Sequence, residues 1–147
     1  MFSRIVVGTD GSETAKQAVR EAAALAKQTG ATLCIVSAFD PVPQSRLREE
    51  RLEAPSDIEH TVGPNEDVDA TLAEASQEAE SAGAQVRTFA RQGEPADAIL
   101  DVAEEENADL IVVGNKGMTG AKRFLLGSVP NKVSHHAPCD VMIVRTT

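Results

Sequence analysis

Tryptophan and tyrosine are absent from this 147-residue chain, whose only aromatic side chains are Phe2, Phe39, Phe89 and Phe124. A platform for stacking single-stranded bases, or an RNA-binding sheet of the aromatic RNP type, is therefore hardly available. Positive charge is scarce as well: 14 Lys and Arg stand against 23 Asp and Glu, a net charge of −9. That field repels polyanions, so no nucleic-acid partner is expected and any anionic ligand must be held by local geometry. No apolar run approaches the ~18 residues of a membrane span, and no membrane partner is expected. Only two cysteines occur, Cys34 in an apolar run and Cys139 in a polar turn, without CxxC or metal spacing. A disulfide framework or zinc site has little support. The opening residues enter a strand-like run at once, without the basic, apolar and small-residue regions of a signal peptide, so a cytoplasmic location is expected.

What is present is the composition of a globular chain, 41% hydrophobic and 25% charged. The length fits one domain, residues 1–147, burying ~70% of the surface its unfolded form exposes. Strands are expected at Ile5 to Gly8, Ala31 to Phe39, Ala84 to Ala90, Leu110 to Gly114 and Val141 to Val144, from short apolar or β-branched runs. Helices are expected at about 12–29, 66–82, from Pro95 into the acidic run Glu104-Glu105-Glu106, and at 128–137, from apolar residues three and four apart. The acidic run reads as a solvated helix end. Residues 40 to 65, with Pro41, Pro43, Pro55 and Pro64, read as an insertion within the domain. Alternating strands and helices predict a parallel sheet with helices on both faces, right-handed crossovers and a ligand site outside the strand carboxyl ends.

Three strand ends converge there: Gly8-Thr9-Asp10-Gly11-Ser12, Ser37-Ala38-Phe39-Asp40, and the long connection that begins Gly114-Asn115-Lys116-Gly117-Met118 and ends Gly127-Ser128. Glycines let backbone N–H groups approach an anion without Cβ clashes. The helix behind them presents its unpaired N–H groups and partial positive charge. Ser128 reads equally well as a phosphate donor or as the cap of its own helix. Asp10-Gly11-Ser12-Glu13 matches a helix-capping pattern, yet a carboxylate beside a phosphate site also suits ribose or Mg²⁺. His135 and His136 stand near the far end of the last helix, where a cation complements the dipole, and read as structural. Cys34 reads as a buried small hydrophobe.

The connection contains neither GxxxxGK(S/T) nor GxGxxG, which disfavours the common NTPase and dinucleotide readings. It matches G-x2-G-x9-G-S/T with Gly114, Gly117, Gly127 and Ser128 in register. Together with Val-Val-Gly-Thr-Asp-Gly-Ser after the first strand, the chain resembles the universal stress protein family, in its nucleotide-binding branch. The resemblance implies an open five-stranded sheet of order 3-2-1-4-5, often dimeric through the last strand, that holds ATP or a related adenine nucleotide such as AMP or cAMP. It implies that Gly114, Asn115, Gly117, Met118, Gly127, Ser128, Val129 and Pro130 lie along the ribose and phosphate path. Gly8, Thr9 and Asp10 would lie beside the nucleotide, with Asp10 on ribose or Mg²⁺, and Ser37 and Ala38 near the adenine. Pro130 departs from many relatives and removes one N–H donor, which makes AMP or cAMP a serious competitor to ATP. Lys116, Lys122 and Arg123 are candidates to add positive charge.

Three functions compete: a nucleotide-binding stress or signalling module, a slow Mg²⁺-dependent ATP hydrolase using Asp10, and a non-binding interaction protein of the same fold. The glycine pattern favours the first, because no evident base accompanies Asp10. The final apolar strand is expected at a sheet edge, where pairing with a second copy would cover it.

Overall fold

Short runs of Val and Ile become strands here because both faces of a central parallel sheet are covered, so no polar alternation is needed. The computed structural model describes residues 2–39, 64–115 and 128–146. In chain order the elements are β1 (Arg4–Gly8), α1 (Glu13–Thr29), β2 (Thr32–Phe39), α2 (Pro64–Ser81), β3 (Gln85–Gln92), α3 (Pro95–Glu105), β4 (Leu110–Gly114), α4 (Ser128–His136) and β5 (Asp140–Val144). The sheet is parallel throughout and ordered β3-β2-β1-β4-β5, the expected 3-2-1-4-5. The expected insertion lies outside the described residues up to residue 63, and α2 begins at Pro64, two residues ahead of its expected start. Proline suits a first helical position, where its missing N–H is not needed.

Alternate residues of each strand serve opposite faces. Ile5, Val7, Leu33, Ile35, Leu110 and Val112 pack with α1 and α2. Val6, Cys34, Val36, Ile111 and Val113 pack with α3 and α4. Full burial of a Val or Ile side chain contributes ~1.5–3 kcal/mol, so the sheet centre is the rigid platform from which the loops project. α1 meets that platform through Ala15, Ala18, Val19, Ala22, Ala23 and Ala26, a mostly alanine stripe that lets the helix axis lie close to the strands. It ends at Gly30, whose φ of 75° places it in the left-handed region that glycine tolerates, and whose N–H donates to the Ala26 carbonyl.

Charged side chains tie the helices together at the surface. Lys16 pairs with Glu74 at 3.1 Å and Arg20 with Glu78 at 2.6 Å, joining α1 to α2. Lys132 on α4 reaches Glu94 at 3.0 Å and Asp97 at 2.9 Å, at the start of α3. The acidic run at the end of α3 is its solvated end, as expected, and also reaches across to β3. Glu106 pairs with Arg87 and Glu105 with Arg91, while both guanidinium groups stand over the Phe89 ring, 5.3 and 5.6 Å from its centre. At the amino edge of the sheet, the Asp109 carboxylate accepts from the N–H groups of Ser3 at 2.6 Å and Arg4 at 3.0 Å. The Arg4 and Ser3 bonds hold its carboxyl below the usual carboxylate range.

Candidate functional site

The chain leaves β1 for β2 on one side and reaches β4 on the other, so the carboxyl ends of β1 and β4 part between the loops that follow them. This is the topological switch point of the sheet. A crevice opens there, with about 320 Å³ of empty space partly continuous with solvent. Its lining among the described residues is Gly8, Thr14, Ala15, Ala18, Val113, Gly114 and Val129. Two glycines and two alanines on its walls leave backbone close to any occupant. α1 bounds it from one face of the sheet and the first turn of α4 from the other.

Three of the expected site residues, Gly8, Gly114 and Val129, therefore line one space. Their common origin is positional: Gly8 and Gly114 end the two strands that diverge, and Val129 lies in the first turn of the helix that returns toward them. Ser128 is exposed at the first residue of α4, followed by buried Val129 and Pro130. Gly117, Met118 and Gly127 lie outside the described residues, as do Lys116, Lys122 and Arg123.

The turn after β1 is held by its own side chains. Thr9 is buried; its N–H donates to the Val36 carbonyl at 2.9 Å and its hydroxyl accepts from the Gly11 N–H at 3.1 Å. The Asp10 carboxylate, exposed, accepts from the Ser12 N–H at 2.9 Å. The Ser12 hydroxyl accepts from the Ala15 N–H at 3.3 Å, capping α1, and lies 3.2 Å from the Thr14 hydroxyl. Thr9 lines a separate hollow of about 200 Å³ between α1 and α2, with Gly11, Lys16, Thr71, Glu74, Ala75 and Glu78. The Glu74 carboxylate beside Lys16 raises that ammonium's pKa. Ser37, buried, and Ala38, half-buried, sit at the end of β2, in register with Ala90 and Arg91 of β3. They are on the far side of β1 from the crevice.

Asn115 follows Gly114 and is fastened to the chain beyond β5. Its N–H donates to the Val144 carbonyl at 2.9 Å, and its side-chain carbonyl accepts from the Thr146 N–H at 2.9 Å and the Thr146 hydroxyl at 3.0 Å. A Cβ on Gly114 would come within 3.3 Å of the Thr146 methyl, so the bare Cα gives this tail its room.

Thr14, Ala15, Ala18 and Val113 belong to the crevice although sequence reading does not single them out for it. Ala15 reads as core, which it also is. The available signal is that residues 14 and 18 are four apart on α1 directly after a strand-end turn, a spacing that aims one helix face at the strand end. The His135 ring Nδ1 lies 2.8 Å from the Asn131 carbonyl near the end of α4. Cys34 is fully buried and Cys139 half-buried, both unpaired, and burial raises both thiols above their ordinary range. Neither has the character of an activated nucleophile. Among the described residues no group of three or more His, Cys, Asp and Glu could hold a metal, and no helix is long and apolar enough to cross a membrane.

An open parallel sheet wound by helices on both faces, with a crevice at its switch point, defines a doubly wound α/β protein of the kind that takes ligands at its strand ends. The profile of the universal stress protein family matches residues 1–145, and the chain belongs to that family. It is 40% identical to universal stress protein Rv1636 of Mycobacterium tuberculosis H37Rv, over 99% of this chain and 98% of that one. It is 34% identical to universal stress protein YxiE of Bacillus subtilis, over 99% of this chain and all of the relative. Among solved structures, a universal stress protein in complex with cAMP is similar with a TM-score of 0.74 and 35% identity, covering 99% and 98% of the two chains. One from Archaeoglobus fulgidus in complex with dAMP is similar with a TM-score of 0.71 and 25% identity, covering 97% and 98%.

Proposed function

We propose that this chain is a single-domain, cytoplasmic universal stress protein that binds an adenine nucleotide in the crevice between β1 and β4 and acts as a stress-response or signalling module. The observation that carries the reading is the crevice itself: Gly8, Gly114, Ala15 and Ala18 leave room at the switch point, with the first turn of α4 on its wall. Similar family members hold cAMP and dAMP, both adenine monophosphates, which supports the same ligand class here. Pro130 lacks the N–H that would add a phosphate donor in that first turn. A monophosphate is therefore favoured over ATP, with Ser128, Val129 and the glycine connection on the phosphate and ribose path.

Asp10 has one carboxylate oxygen engaged by Ser12 and stands on the surface, so it has capacity for a ribose hydroxyl or for a hydrated Mg²⁺ brought in with a di- or triphosphate. Magnesium keeps most of its waters, and a single protein carboxylate suffices. Among the described residues β5 pairs with β4 alone and exposes Ile143, which supports association with a second copy through that edge.

Freshly purified protein, denatured and chromatographed, is expected to release an adenine nucleotide. Calorimetric titration of the stripped protein with cAMP, AMP and ATP, with and without Mg²⁺, should give saturable binding, tightest for a monophosphate. Absence of saturation with all of them removes the nucleotide reading. Light scattering is expected to report a dimer; a monomer at working concentration removes the β5 pairing.

A further inference from the structure

The two residues after Val113 and the tail after β5 touch at three points, one of them at Gly114 on the crevice wall. Gly114 lines it; the Thr146 methyl lies 3.3 Å from where a Gly114 Cβ would stand; and Asn115, next in the chain, takes both donors of Thr146 on one oxygen. A backbone N–H is always a donor, so the Asn115 side chain is fixed with its oxygen toward Thr146 and its NH₂ turned away. The Asn115 N–H, bonded to the Val144 carbonyl, continues the β4–β5 ladder one step past the Gly114–Val144 pair. Backbone direction at Gly114 is thereby set from outside the crevice, by a tail that is not itself among the lining residues.

We propose that Asn115 is a positioning residue for the nucleotide crevice, and that Thr146 is its anchor, so the tail beyond β5 sets the shape of the wall that Gly114 contributes. The proposal rests on the nucleotide reading for its consequence but not for its geometry. The family resemblance places Asn115 on the nucleotide path; here its side-chain carbonyl is taken by the tail, and through that bond it also sets the wall that Gly114 contributes.

A double-mutant cycle with a ligand-free readout tests this. Asn115→Ala is expected to weaken cAMP binding about tenfold, by loss of two hydrogen bonds that hold the wall. Thr146→Val, which removes only the hydroxyl, is expected to weaken it about threefold, and the double variant should bind no worse than Asn115→Ala. In the ligand-free proteins, the amide NMR signals of Gly8, Gly114 and Val129 should move in Asn115→Ala and in Thr146→Val. Asn115→Asp, which keeps the acceptor, should leave Gly8 and Val129 near their wild-type positions. Shifts confined to Asn115, Thr146 and their chain neighbours overturn the proposal, as do single-variant losses that multiply in the double variant. Should the wild-type protein bind no nucleotide, the NMR series still decides the positioning role, so the two failures are told apart.

Discussion

Two helix N-termini flank the crevice, and among the described residues side chains cap one of them and not the other. At α1 the Ser12 hydroxyl takes the Ala15 N–H, the Asp10 carboxylate takes the Ser12 N–H, and the Thr9 hydroxyl takes the Gly11 N–H. That end is closed by its own side chains, and what it offers the crevice is two alanine methyls and the Thr14 side chain. At α4 no described side chain caps the first turn; Ser128 is exposed and Pro130 has no N–H to satisfy. A capped helix end stabilises the fold, and an uncapped one keeps its donors for something else. On the proposed reading, α1 gives the crevice its shape and α4 the charge that faces a phosphate.

The largest expected effect comes from filling the wall between them. Gly114→Val sets branched carbon against the Thr146 methyl, already 3.3 Å from an added Cβ. It should weaken nucleotide binding by about a hundredfold and destabilise the fold by about 1–3 kcal/mol, as overpacking does; calorimetry and urea unfolding measure the two. Next comes Ser128→Ala, expected to weaken binding about tenfold while leaving the melting temperature in place, as loss of a ligand donor at an open helix end requires. A fall in melting temperature with unchanged affinity would turn Ser128 into an ordinary cap and erase the contrast. Ser12→Ala should do the reverse. Its loss of about 1 kcal/mol lowers the melting temperature by roughly 2–4 °C, with nucleotide affinity unchanged.

The smallest effect lies at the opposite edge of the sheet, as a control away from the crevice. The lowered Asp109 carboxyl adds stability above its unfolded value of about 3.8 and loses it as the pH falls through the still lower folded value. Asp109→Asn should therefore unfold at lower urea than wild type at pH 7, and the difference should shrink toward pH 3. A difference that does not change with pH would mean that the charge on Asp109 contributes nothing.

Strands β1, β2 and β4 are legible in the sequence because a strand covered on both faces is a continuous apolar run, as in Ile5-Val6-Val7 and Leu110-Ile111-Val112-Val113, and the edge strand β5 is legible from its own run Val141-Met142-Ile143-Val144. β3 is less so. It is an edge strand with alternating partial burial, and it runs on to Gln92 because its ladder with β2 continues to Phe39, two residues past the expected end. Glu105 and Glu106 are invisible in the sequence as partners of Arg91 and Arg87 because such pairs, 14 and 19 residues apart, leave no local pattern. Within the site, Gly8 and Gly114 can be located because punctuation at strand ends is local. Thr146 cannot, since its contact with Asn115 spans 31 residues and depends on strand order.

The alanine stripe of α1 has an evolutionary corollary. Ala15 and Ala18 are at once packing residues and walls of the crevice. A single replacement on that helix can make the cavity smaller, through Val or Leu, but can enlarge it only through glycine, which weakens a helix interior by about 1 kcal/mol. A larger side chain at either buried alanine also overpacks the core, by about 1–3 kcal/mol, so along this wall descendants of the protein are held near the present width in both directions and new breadth would have to be won from the loops.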